Sequence, residues 1–120
     1  MLKTLAVAGA LALSCTPAAA QRISQEVPLT NDTGMTITQI FISPSGEDEW
    51  GPDLLGDEVF ADTIRATVTF EREEDACEWD IKATFEGGGG VVWPALDFCA
   101  ISSIGLVYNV ETGETTAMVE

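Results

Sequence analysis

Seven carboxylates fall within sixteen residues of one another: Glu47, Asp48, Glu49, Asp53, Asp57, Glu58 and Asp62. They lie in an irregular stretch, residues 44–62, that also holds two Pro and three Gly. Hard cations such as Ca²⁺ take about six to eight oxygen ligands, many of them from carboxylates and carbonyls of an irregular loop. The segment is therefore a candidate calcium site, and a calcium-binding envelope protein is one reading of the chain. The spacing does not match an EF-hand loop. The plainer reading is a solvated acidic surface, because acidity fills the whole sequence. Trp50, between Glu49 and Gly51, adds a second candidate. An indole beside carboxylates can stack on a sugar or hold a cation. It can equally anchor the loop, packing with Leu54 or Leu55 over the open end of a sandwich.

Other chemistries are excluded by what the chain lacks. It has no His, so Ser-His-Asp and Cys-His catalysis, His-ligated zinc and His-ligated haem are all ruled out. Ser43, Ser45, Ser102 and Ser103 have no partner motif that would activate them. Paired carboxylates can cleave glycosidic bonds, but that needs a cleft that raises one carboxyl pKa, which small sandwiches seldom provide. A carboxylate-based hydrolase is thus the remote alternative, and no catalytic residue is assigned. With 20 Asp+Glu against 5 Lys+Arg, the formal charge is −15. That charge disfavours nucleic acid and anionic lipid as partners. The glycine run 87–90 is followed by a strand pattern with no cation nearby, so it is a hairpin tip and no phosphate cradle.

The first twenty residues read as an address. Lys3 gives a positive start, Leu5–Leu13 is a short apolar run, and Ala18-Ala19-Ala20 supplies a cleavage site. The run is shorter than the about 20 residues a membrane span requires. Export to the periplasm or the extracellular space is expected, with residues 21–120 as the mature domain. A lipid anchor through Cys15 is the minor alternative, since Ala12 stands where lipoprotein signals usually carry Leu. Cleavage would remove Lys3 and Cys15, leaving four Lys+Arg against 20 Asp+Glu, a charge of −16. The two remaining cysteines, Cys77 and Cys99, are an even pair in an exported chain and predict one disulfide.

The elements that must position these residues are strands. Ile64, Ala66, Val68 and Phe70 alternate with polar residues, as do Cys77, Trp79, Ile81, Ala83 and Phe85. Further strands are expected at 24–30, 35–43, 91–98, 101–108 and 115–119. In 35–43 the apolar parity switches between Ile37 and Ile40, which predicts a bulge near Thr38-Gln39. Asn31-Asp32-Thr33-Gly34 reads as turn chemistry, though it also matches a glycosylation sequon. The charged run Glu71–Asp75, with Arg72 inside it, reads as a solvated hairpin tip. A loop of Gly87-Gly88-Gly89 sets Cys77 opposite Cys99, and Pro94 marks an edge or a bulge that can reset the register.

Four blocks, Asn31–Gly46, Glu49–Val59, Asp75–Gly88 and Trp93–Cys99, carry the patterns N-x-T-G, I-S-P-S-G, W-x-x-D-L-L-G and C-x-W-D-I-K. In that order they resemble a family of small exported, uncharacterised bacterial β-proteins. The resemblance implies a β fold and export, and no chemistry. Members usually have Asp-Gly at the hairpin, where this chain has Glu86 and four glycines. Some carry the label argininosuccinate lyase. Those enzymes are several times longer and largely helical, with a catalytic His that this chain lacks.

The expectation is an all-β, antiparallel sandwich of about seven strands, with one disulfide and one long acidic loop. Its expected role is a non-enzymatic binding or interaction module, with a protein or small-molecule partner and no cofactor unless Ca²⁺. An exposed apolar edge at 35–43 would instead favour a structural envelope protein.

Overall fold

The structure is a computed structural model that describes residues 21–47 and 49–120. The expected leader, with Lys3 and Cys15, and the loop residue Asp48 lie outside the described residues. Seven strands follow one another: β1 (Arg22–Asp32), β2 (Ile37–Pro44), β3 (Arg65–Glu73), β4 (Glu78–Phe85), β5 (Gly90–Asp97), β6 (Ile104–Asn109) and β7 (Glu114–Val119). They form a four-stranded sheet, β3-β1-β6-β7, and a three-stranded sheet, β2-β4-β5. Among the described residues no helix is long and apolar enough to cross a membrane.

The predicted alternation sets the core. Val27 and Leu29, Val68, Ile81 and Ala83, and Ile104 and Leu106 are all buried between the two sheets. The predicted bulge is present, with the β2–β4 register shifting between Ile37 and Gln39. One pair departs from the antiparallel rule, because the end of β1 runs parallel to β6, from Leu29↔Ile104 to Asp32↔Val107. β1 can hold a central position despite Pro28. Its pairing with β6 begins only at Leu29, so the missing N–H costs no ladder bond there.

The β4–β5 hairpin turns one residue earlier than the sequence predicts. The Phe85 N–H donates to the Gly89 carbonyl at 3.0 Å, and Thr84 faces Gly90. Half of the lost register is recovered at Pro94-Ala95, where β5 takes three steps from Trp93 to Leu96 while β4 takes two from Ile81 to Trp79, so Cys77 lies opposite Phe98, one residue short of the expected Cys99. That bulge also repairs the parity: Trp93, Leu96 and Phe98 are buried, and Asp97 and Cys99 face solvent. Asp80, opposite the extra residue, accepts the Ala95 N–H at 2.8 Å. The Cys77–Cys99 disulfide forms just beyond the last strand pair, with Cα atoms 5.1 Å apart. It staples the outside of the sandwich at that end, because Cys99 is exposed and Cys77 half-buried.

Candidate functional site

The two flanks of the sandwich are closed differently. On the β5/β7 flank the Trp93 indole N–H donates to the Val107 and Thr116 carbonyls of the opposite sheet, at 3.1 and 3.2 Å. The Thr115 hydroxyl returns a bond to the Val92 carbonyl at 2.8 Å. Those bonds close the flank around Trp93, and a smaller hollow of about 380 Å³ remains toward its other end, lined by Ala95, Leu96, Ile101, Ala117 and Val119 and by no aromatic ring.

The β2/β3 flank is bridged by the acidic loop. Ile37 and Phe60 exchange backbone hydrogen bonds at 2.9 and 2.8 Å, and the Leu54 N–H donates to the Ile40 carbonyl at 2.8 Å. The Asp53 carboxylate accepts the Ile40 and Leu55 amides, both at 3.0 Å. A carboxylate that takes two N–H groups substitutes for a missing strand, so the outer edge of β2 is covered. The exposed apolar edge that would mark an envelope protein is therefore not present at 37–44. At the far end of the loop, Asp62 accepts the Gly34 amide at 2.8 Å. Asn31, fully buried, donates to the Met35 and Phe60 carbonyls, both at 2.8 Å, and accepts from the Thr33 N–H and hydroxyl. Its amide is spent inside the fold, as the turn reading of that sequon requires.

Between the loop and β3 runs a groove of about 510 Å³. Its floor is apolar: Ile42 of β2, Leu54 of the loop, Phe70 of β3 and Trp79 of β4. Phe70 and Trp79 reach across the two sheets and meet edge to face, with ring centroids 5.4 Å apart. Gly51 and Pro52 form the loop wall, and Thr69 and Glu71 line the groove from the outer side of β3. Charge sits at the rim. Arg22 lies 3.8 Å from Glu71, an exposed pair of small energetic weight, and Glu49 stands across from them. A shallower continuation adds Glu47 and Glu73.

The predicted site residues divide accordingly. Asp53 and Asp62 bind backbone amides, while Glu47, Glu49, Asp57 and Glu58 are exposed. Among the described residues, the only three potential metal ligands in mutual reach are Cys77, Asp97 and Cys99, and their two sulfurs are joined in the disulfide. Trp50 is half-buried, and the Lys82 ammonium lies 5.7 Å from its ring centroid. Lys82 is on the outward face of β4, so Trp50 packs on the outer surface of that sheet. Of Trp50, Leu54 and Leu55, only the two leucines meet the core, which the loop also joins through Phe60. The indole does hold a cation, and that cation is the protein's own.

Sequence reasoning assigns Phe70 and Trp79 to the core and misses their second role as groove floor. The signal depends on strand order: β2 and β3 must both be edges of the same flank for a gap to open between them. Arg72 is also misplaced by the sequence. It is buried, its Nε donates to the Gln25 side chain, and its Nη1 donates to the Glu73 and Glu74 carbonyls at 3.0 and 2.9 Å. Gln25 in turn donates to the Phe98 carbonyl at 2.8 Å, so one guanidinium fixes the end of β3 beside the groove. No protein-family model, curated protein or solved structure matches the chain.

Proposed function

We propose that the protein is an exported, non-enzymatic binding module that holds its ligand in the groove between the acidic loop and β3. The observation that carries this reading is the asymmetry of the flanks. One is bolted by Trp93 and holds only a smaller hollow without aromatic lining, and the other keeps an aromatic floor open beside a loop that is itself anchored. The volume falls within the about 300–1,000 Å³ usual for ligand pockets. Apolar floor and carboxylate rim together suit a ligand with an apolar body and cationic or neutral polar ends. The absence of His and of an activated nucleophile from the sequence favours binding over catalysis.

Gly51 provides the test. It lines the groove, and a Cβ built on it meets nothing within 4 Å, so a large side chain is accommodated at the groove wall without disturbing the core. The neutral dye Nile red is expected to bind the purified protein saturably, and Gly51→Phe to abolish that binding with the melting temperature unchanged. Equal dye binding by both proteins, or none by either, would overturn the reading.

A further inference from the structure

The groove runs along a strand edge that nothing in the described structure guards. Two of the four sheet edges are protected: β2 by Asp53, Leu54 and Phe60, and β5 by the Pro94 bulge and by the Thr115 hydroxyl on its Val92 carbonyl. β7 is a six-residue strand away from the groove, and β3 is the longer edge that borders it. β3 has no Pro, and its register with β1 is unbroken over nine pairs, from Arg22↔Glu73 to Thr30↔Arg65. The phase of its hydrogen bonds can be read from its two ends. The Glu74 N–H donates to the Gln21 carbonyl, and the Asn31 N–H donates to the Ile64 carbonyl. An antiparallel strand turns alternate residues to alternate sides, so even-numbered residues of β3 bond to β1. Arg65, Thr67, Thr69 and Glu71 therefore turn their N–H and C=O groups to the free side. Among the described residues, no strand or side chain takes them up. A regular edge of this kind is a template for another strand.

Resting on the groove as the binding site, we propose that its ligand is an extended basic–apolar peptide segment. It adds antiparallel to β3 as an outer strand of the four-stranded sheet. Residues directly opposite in an antiparallel pair share a face. Peptide residues facing Ala66, Val68 and Phe70 thus point inward, over the groove, and should be apolar. Those facing Thr67, Thr69 and Glu71 point outward and carry the hydrogen bonds. Charge selects what they are. Glu47, Glu49, Glu71 and Glu73 surround the groove, with Arg22 as the accessible cation and already beside Glu71. Lys or Arg at the intervening positions complements that rim, and a second copy of this chain, with its own excess of carboxylates, is repelled by it.

The test uses the purified protein and a capped peptide alternating Lys and Val over the length of β3, with binding followed by calorimetry. Saturable binding that weakens with added salt is expected. N-methylation of the Lys amides, which face β3 in this geometry, should weaken binding more than about tenfold, and N-methylation of the Val amides should leave it nearly unchanged. Thr67→Pro removes a free-side N–H while sparing the bonds to β1, and should reproduce the loss. Thr67→Val should not. Equal binding of a Glu–Val peptide would overturn the choice of a basic segment, and failure of the Lys–Val peptide to bind or equal binding of the two methylated peptides would overturn strand addition. So would a concentration-dependent dimer, seen by light scattering and dissolved by Thr67→Pro, which would assign the edge to a second copy. None of those results touches the dye test with Gly51→Phe, so the groove reading stands or falls separately.

Discussion

Trp93 of β5 and Thr116 of β7 belong to different sheets, and the indole N–H of the first donates to the carbonyl of the second at 3.2 Å. The same proton is shared with Val107 of β6 at 3.1 Å, so one side chain joins three strands. Trp79, the other tryptophan of this sheet's core, bonds only locally, to the Ala76 carbonyl at 2.7 Å. That difference leaves the larger, aromatic-floored groove on the flank of Trp79. Trp93→Phe should lower stability by about 1–2 kcal/mol, through the lost hydrogen bonds, in denaturant unfolding. Nile red affinity should stay unchanged, because the groove lies on the opposite flank.

Arg72 is a buried cation satisfied by carbonyls and one amide side chain. Lys has no planar fork and cannot serve Gln25 and two turn carbonyls together. Arg72→Lys is expected to destabilise the fold by about 2 kcal/mol, and Arg72→Met by more. The measurement is the urea midpoint at an unchanged m-value.

The fold was legible where the signal is local. Alternation gives β3 and β4, although Ile64 is exposed and precedes β3, and the parity switch between Ile37 and Ile40 gives the β2 bulge. The alternation also continues from Ala66, Val68 and Phe70 to Arg72, so the burial of Arg72 was readable in principle. The charges flanking it hid that continuation, since a charged residue among Glu71, Glu73 and Glu74 looks solvated. The groove was not legible. It depends on β1 pairing with both β3 and β6, which leaves β3 at an edge, and on β2 lying at the matching edge of the other sheet. Those are long-range choices that periodicity does not record. The acidic loop stood out by composition, whereas the jobs of Asp53 and Asp62 emerge only from what their oxygens meet.

Asp53 holds two amides that would otherwise lack a partner. Asp53→Ala should cost about 2–3 kcal/mol, the usual range for hydrogen bonds to a charged acceptor. The loss should appear without any added ion. Calcium should raise the melting temperature no more than sodium does at equal ionic strength. A saturable calcium transition that Asp53→Asn abolishes would instead return the loop to the metal-site reading.

The Cys77–Cys99 disulfide closes a loop with a sequence separation of 22. Replacing both cysteines with Ser should reduce stability by about 3 kcal/mol in the chain-entropy model. The staple lies on the outer surface beside Asp97, so ligand affinity at a temperature where the variant is folded should be retained. Guanidinium unfolding and dye binding of the double variant check the two halves of this statement.

Three tryptophans in three settings make the groove directly observable. Trp79 lines it, Trp93 is locked into the opposite flank, and Trp50 rests over Lys82 on the outer sheet face. In an ¹⁵N-correlated spectrum each indole N–H gives its own resonance, and Nile red can be titrated against all three. The account predicts a saturable shift of the Trp79 resonance with Trp93 unmoved, both abolished and unmoved respectively in Gly51→Phe. A spectrum in which Trp79 stays fixed, or in which Trp93 moves with it, would contradict the groove as the binding site.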